Sequence, residues 1–205
     1  CSLAAVRHPL GSATTGYAKL KSNHKNQFTS DRARIENGGH VTLQHREEFD
    51  YVHNQGMSFA EFLKRYRSRI YNNWFLIGEA ELEYVIRFEH LQEGFSEVLN
   101  RVGATEMGPL SHVNPTKQKS QNFSEYYNAE VRELAMTCYG PFMQKWGYDF
   151  PSEWTEYKVP RLARWQFNAL LRAGNIAAKF GALDPNHPII AAAKRAADRI
   201  TAKRA

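Results

Sequence analysis

The sequence predicts an α/β fold, a parallel sheet flanked by helices, with a helical C-terminal extension. Three observations lead there. A short apolar strand over residues 2–6 runs directly into a helical pattern over 10–22. A second strand over 84–88, rich in β-branched and aromatic residues, runs into an amphipathic helix over 90–102. From Pro151 the composition changes, and 161–180 and 188–204 read as two helices separated by Asp184-Pro185-Asn186-His187-Pro188.

The first strand, Ser2-Leu3-Ala4-Ala5-Val6, ends in Arg7, with Pro9 two residues later and Thr15 eight residues after the arginine. A guanidinium offers a planar fork of donors to phosphate oxygens. The free N–H groups at a helix start add further donors and a favourable dipole. Pro9 suits the first helical turn, where its missing N–H is not needed. Thr15 stands about two turns along and can turn its hydroxyl back toward the same anion. Taken alone, Arg-x-Pro at a strand end also describes an ordinary turn.

Residues 23–56 are polar, rich in Asn, His, Gln and Gly, and lack clear periodicity; Gly38-Gly39 marks a turn. This stretch reads as a long mobile loop or insertion, either a solvated surface or a lid. Ser58-Phe59-Ala60-Glu61 is a capping box that opens a helix through about Tyr71, with Phe59, Phe62, Leu63, Tyr66 and Ile70 on its apolar side. Lys64, Arg65, Arg67 and Arg69 share the other face, either as a solvated surface or as cations for an anionic acceptor. In the helix over 90–102, Leu91, Phe95, Val98, Leu99 and Val102 form one stripe and Gly103 is the stop. Residues 104–122 read as loop. A further helix over 128–146 contains Pro141, which is expected to kink or break it.

The 205 residues, 42% hydrophobic, suffice for one domain with a sizeable core. No apolar run approaches the roughly 20 residues of a membrane span. Cys1 and Cys138 give no disulfide framework. Asn122-Phe123-Ser124 is a glycosylation sequon, which matters only in a secretory compartment. The eight histidines lack metal-ligand spacing. Residues 1–150 carry 17 Lys+Arg and 17 Asp+Glu, whereas residues 151–205 carry 10 and 4, so the whole net charge of +6 lies in the last quarter. The main domain therefore has no basic signature for nucleic acid.

Three motifs in order resemble the sulfotransferases that use 3′-phosphoadenosine-5′-phosphosulfate (PAPS), of the carbohydrate and bacterial type. Val6-Arg7-His8-Pro9 with Thr15 and Tyr17 resembles their 3′-phosphate element. Phe88-Glu89-His90-Leu91 after a strand resembles their late Phe-Glu-x-Leu turn. Ser111-His112-Val113-Asn114, Tyr126-Tyr127-Asn128 and Trp146-Gly147-Tyr148 resemble their His-x-Asn loop, Tyr-Tyr pair and Phe-Gly-Tyr ending. The resemblance covers roughly residues 1–150 and implies a P-loop-like sulfotransferase fold there, with 151–205 as a basic helical extension lacking a family counterpart. It implies PAPS as sulfuryl donor, no metal, and Arg7 and Thr15 on the 3′ phosphate. Lys117 and Lys119, in a basic loop, would close over the same nucleotide. The activity implied is transfer of a sulfuryl group to a hydroxyl or amine of a small-molecule or glycan acceptor.

The family's Gly-rich phosphosulfate turn, with Lys followed by Ser or Thr, does not occur in residues 1–205. The resemblance therefore implies the C-terminal part of a longer protein, inactive alone, with that turn and the general base upstream of Cys1. No catalytic residue is assigned. The alternative is a non-catalytic truncated relative whose basic C-terminal helices bind an acidic partner or membrane surface. A nucleotide kinase is disfavoured by the same missing turn and by the lack of an arginine-rich lid. The expected compartment is the cytoplasm, or the Golgi lumen should an upstream segment carry an anchor.

Overall fold

A computed structural model describes residues 3–71, 83–104, 108, 110, 123–154 and 158–179. These residues are mostly helical around a small parallel sheet. In chain order the main elements are β1 (Leu3–Val6), α1 (Pro9–Lys21), α2 (Leu43–Phe49), α3 (Phe59–Tyr66), β2 (Tyr84–Arg87), α4 (Leu91–Val102), α5 (Ala129–Lys145) and α6 (Arg161–Lys179). β1 and β2 pair in parallel, with Leu3 opposite Tyr84 and Val6 opposite Arg87. Both strands therefore end at the same edge, and each hands over to a helix there. The α/β class is seen at this level, as two strands among described residues that are otherwise largely helical.

The core lies between α1, α3 and α5. Leu10, Ala13, Tyr17 and Leu20 come from α1, Phe59, Phe62 and Leu63 from α3, and Val131, Ala135, Tyr139, Phe142 and Met143 from α5. The core runs on past residue 150, since Trp154, Val159 and Phe167 belong to the same buried cluster. Pro9 opens α1 as expected. Gly103, at φ 73° in the left-handed region, caps α4.

Residues 23–42 are irregular, with three short 3-10 turns, but the second part of the stretch expected to be loop is helical, α2 and the turn after it. Thr42 and His45 cap α2 reciprocally, side chain to backbone in both directions, and a five-residue π-turn follows over Asp50–Asn54. Phe49 and Val52 enter the main core. The Phe49 ring stacks on Phe28 and His53 at 5.3 and 4.7 Å between centroids. A hydrophobic grip at Phe49 and Val52 needs no long periodic run, because a short helix and one extra turn present both, while Val41 is buried just before the helix in a bridge to Arg34.

The helix opened by the Ser58–Glu61 capping box ends at Tyr66 rather than near Tyr71. Arg67 leaves helical geometry at φ −128°, ψ 21°, and its guanidinium turns to Glu48. That carboxylate is 1% exposed and accepts two parallel bonds from Arg67 at 2.8 and 3.0 Å, with Gln44 donating a third at 2.8 Å. Three of the four cations read onto the basic face of this helix meet carboxylates. Lys64 pairs with Glu130, Arg65 pairs with Glu47 at 3.4 Å and lies over the Tyr51 ring, and Arg67 holds Glu48.

Pro141 does not break α5, which runs unbroken from Ala129 to Lys145. An interior proline costs about 3 kcal/mol of helix. Here Pro141 is buried with Tyr139, Phe142 and Met143 around it. One turn earlier the Cys138 carbonyl accepts an N–H from outside the helix, that of Tyr71 at 2.8 Å. Tertiary packing holds the helix across the defect.

Candidate functional site

In open parallel sheets, ligands bind beyond the carboxyl ends of the strands. The edge at which β1 and β2 end collects the chemistry-bearing residues of this chain. Arg7 and His8 follow β1, Phe88 and Glu89 follow β2, and the turn after α5 returns Gly147, Tyr148 and Asp149 to the same place.

Glu89 joins the two strand ends. One carboxylate oxygen accepts the His8 backbone N–H at 2.9 Å, which is the N-cap of α1. A carboxylate at a helix N-terminus is favoured by the dipole. The other oxygen lies 3.0 Å from the Tyr148 hydroxyl, which is also 3.0 Å from the Val6 carbonyl. Burial, and after it the Glu89 charge, holds the Tyr148 phenol well above its ordinary value, so it remains a neutral donor. Arg87, the last residue of β2, donates to the Gly147 carbonyl at 2.9 Å and lies 5.8 Å from the centre of the Tyr148 ring.

The His8 ring packs on Phe123 and Tyr148, at 4.7 and 4.9 Å between centroids. Its Nε2 lies 3.3 Å from the Asp149 carbonyl. A carbonyl only accepts, so in this bond Nε2 carries the proton.

Arg7 is half-buried and its guanidinium lies 5.0 Å from the centre of the Phe88 ring, which is 47% exposed. The ion pairs among the described residues do not include Arg7. A cation held on an aromatic face at a strand end is placed to meet an anionic ligand.

Thr15 is on α1 but points elsewhere. It is 4% exposed, and its hydroxyl donates to the Gly11 carbonyl of its own helix at 2.6 Å. Thr14 donates to the same carbonyl at 3.1 Å. Both hydroxyls satisfy the helix rather than face the strand end. Tyr17 is likewise structural in placement, buried with its hydroxyl donating to the Met57 carbonyl at 2.8 Å. Of the Tyr-Tyr pair, Tyr127 is fully buried and donates to the Leu10 carbonyl at 3.0 Å. Lys117 and Lys119, with His112 and Asn114, lie outside the described residues, as does the basic segment 188–204.

The structure thus places Arg7 at the strand edge and adds His8, Arg87, Glu89 and Tyr148, to which the sequence assigned no site role. A signal for them exists: Glu89 stands two residues after β2 as His8 stands two after β1, and parallel pairing in register brings such positions together. No family model matches the chain, and neither does any curated protein or solved structure. The site must therefore be read from its own geometry. Among the described residues no group of three or more His, Cys, Asp or Glu is arranged to hold a metal ion, and no helix is long and apolar enough to cross a membrane.

A phosphate fits Arg7, whose guanidinium lies over Phe88 and, among the described residues, forms no salt bridge. It does not fit Thr15 as that side chain stands, because the hydroxyl proton is given to Gly11. The N-cap N–H, that of His8, is already taken by Glu89, and Pro9 at the first helical position has none to give. The side-chain group placed for an anion at this edge is the Arg7 guanidinium.

Proposed function

We propose that this chain is a nucleotide-binding unit of a PAPS-dependent sulfotransferase, in which Arg7 grips the 3′ phosphate of the donor. The observation that carries the reading is the position of Arg7. It stands one residue beyond the carboxyl end of a parallel strand, against Phe88 from the neighbouring strand end, in no ion pair with a described carboxylate. The sequence resemblance names this same arginine. PAPS, when bound, supplies the sulfuryl group that an acceptor hydroxyl or amine receives. In this reading Glu89 and Tyr148 do not touch the donor. They clamp the two strand ends, so the Arg7 backbone is fixed before the ligand arrives, and preorganisation lowers the cost of binding. Thr15 keeps its bond to Gly11 and supports the helix.

The test is equilibrium binding of 3′-phosphoadenosine 5′-phosphate and of 5′-adenosine monophosphate to the full chain. The 3′-phosphorylated nucleotide should bind more tightly, and Arg7→Ala should remove that preference. A lost charge-assisted contact costs about 1.5–3 kcal/mol, roughly 10- to 150-fold in affinity. Equal affinity for the two nucleotides, or an unchanged preference in Arg7→Ala, overturns the reading.

A further inference from the structure

We propose that the outer face of α6 docks on an anionic lipid surface. Its inner face, through Ala163 and Phe167, each 2% exposed, belongs to the core. The opposite face is also apolar. Leu162, Trp165 and Ile176 are 64%, 68% and 57% exposed. With Ala169 they follow one another at spacings of three, four and seven residues, which puts them on a single stripe. A helix that needs only one apolar side to fold here carries two.

The charge beside the stripe says what covers it. Arg161 and Arg172 lie four residues before and seven after Trp165, so they border the same stripe, and both are exposed. From Arg161 to Lys179 there is no Asp or Glu. Helices that lie in a membrane interface combine these features: an apolar face with Trp or Leu, and arginines at headgroup level that meet anionic lipid. Tryptophan suits that boundary because its ring is apolar and its N–H is not. A second copy of this chain is the less suitable occupant. A two-fold contact through the stripe would place Arg161 and Arg172 in the seam with no carboxylate on either copy of this helix to pair them. α6 supplies none of the side chains at the strand edge, so the docking face and the nucleotide site can act separately.

The test uses the full chain with vesicles of phosphatidylcholine alone or with about one third phosphatidylserine, read by flotation and by tryptophan emission. Subtracting the spectrum of Trp165→Ser isolates Trp165 from the other three tryptophans. The expected result is partition onto the anionic vesicles at least tenfold stronger than onto neutral ones, with a blue shift of the Trp165 emission. Trp165→Ser should weaken partition about tenfold. Arg161→Gln and Arg172→Gln should each weaken it about fivefold at low salt. These side chains point away from the core, so thermal melting should stay within a few degrees, and the arginine variants test the proposal without touching an apolar position. Three results overturn it. One is equal or absent partition on the two vesicle types. Another is partition indifferent to all three substitutions. The last is a Trp165 emission already blue-shifted and shielded from acrylamide without lipid; sedimentation velocity then tells a second copy from coverage by the chain's own residues 180–205.

Discussion

The Tyr148 hydroxyl lies 3.0 Å from the Glu89 carboxylate and 3.0 Å from the Val6 carbonyl, so one side chain from beyond α5 clasps the ends of both strands. The phenol has a single proton for two acceptors, and its neighbour Arg87 ties the same turn through Gly147. A two-stranded sheet is marginal without such support. Tyr148→Phe keeps the ring against His8 and removes only the hydroxyl. It should destabilise the chain by about 1.5–3 kcal/mol, the value of a hydrogen bond with a charged partner. Urea unfolding measures this, and a loss below about 0.3 kcal/mol would mean that the ring and not the hydroxyl holds the strand ends.

Glu48 and Arg67 fasten residues 23–56 to the rest of the molecule. The carboxylate is fully buried, while a third of the Arg67 side chain is exposed. Removing one partner of a buried pair leaves an uncompensated charge, at about 3–5 kcal/mol. Water access to Arg67 lowers that figure, and Arg67→Ala should cost about 2–3 kcal/mol. Glu48→Leu with Arg67→Met should cost less than Arg67→Ala alone, because no buried charge is then left unpaired. A double-mutant cycle with Glu48→Leu and Arg67→Met as its single variants reads the coupling. Additive effects would show that the two residues do not depend on each other.

Gly140 sits inside α5, where alanine is worth about 1 kcal/mol more than glycine by helix propensity alone. The space decides otherwise. A Cβ there would lie 2.5 Å from a Val159 methyl and 3.1 Å from the other. Valine is stiff at χ1 and cannot swing both methyls away. Gly140→Ala should therefore be net destabilising by about 1–2 kcal/mol, the range of core overpacking less the propensity gain. Val159→Ala in the same chain should reverse the sign relative to Val159→Ala alone. If Gly140→Ala is stabilising by itself, α5 and the segment before α6 are not held together at this point.

What was legible in the sequence was local. Capping residues and apolar spacing marked α1, α4 and the start of α3, because Pro9, Ser58, Glu61 and Gly103 act on neighbours within a turn or two. The strands were legible as a short apolar run before Arg7 and a β-branched, aromatic-flanked run at 84–88. Residues 23–56 were not, because their order comes from distant partners: Glu48 finds Arg67, and Phe49 finds Phe28 and the core. The break that Pro141 suggests is absent for the same reason, its cost being met by packing that no local window contains. At the strand edge Arg7 was readable from Arg-x-Pro, whereas Thr15 has the right height on the helix but not the right rotamer. Its rotamer is set by the Gly11 carbonyl one turn back, a competitor for the hydroxyl that any helical Thr has available.

Alkaline pH should unfold this chain in a defined window. Burial pushes the Cys138 thiol from its ordinary value of 9.0 up to about 11. Burial first, and then the bond to Glu47, pushes the Tyr66 phenol from 10.0 up to about 12. Burial likewise raises Tyr127, Tyr139 and Tyr71. Each of these groups keeps its proton longer when folded than when unfolded. The stability they contribute is fully present below the ordinary values and is lost as pH rises through them toward the folded ones. Urea midpoints should therefore hold up to about pH 9 as far as these groups are concerned, begin to fall as the thiol titrates in the unfolded chain, and fall more steeply above pH 10 as the phenols follow. Cys138→Ala should flatten the segment between pH 9 and 10 and leave the steeper one. Absorbance near 295 nm supplies the second readout: phenolate from the buried tyrosines should appear together with unfolding. A folded chain that develops the full phenolate signal by pH 11 at constant midpoint would show that water reaches Tyr127 and Tyr139, and that the packing around α5 is looser than described.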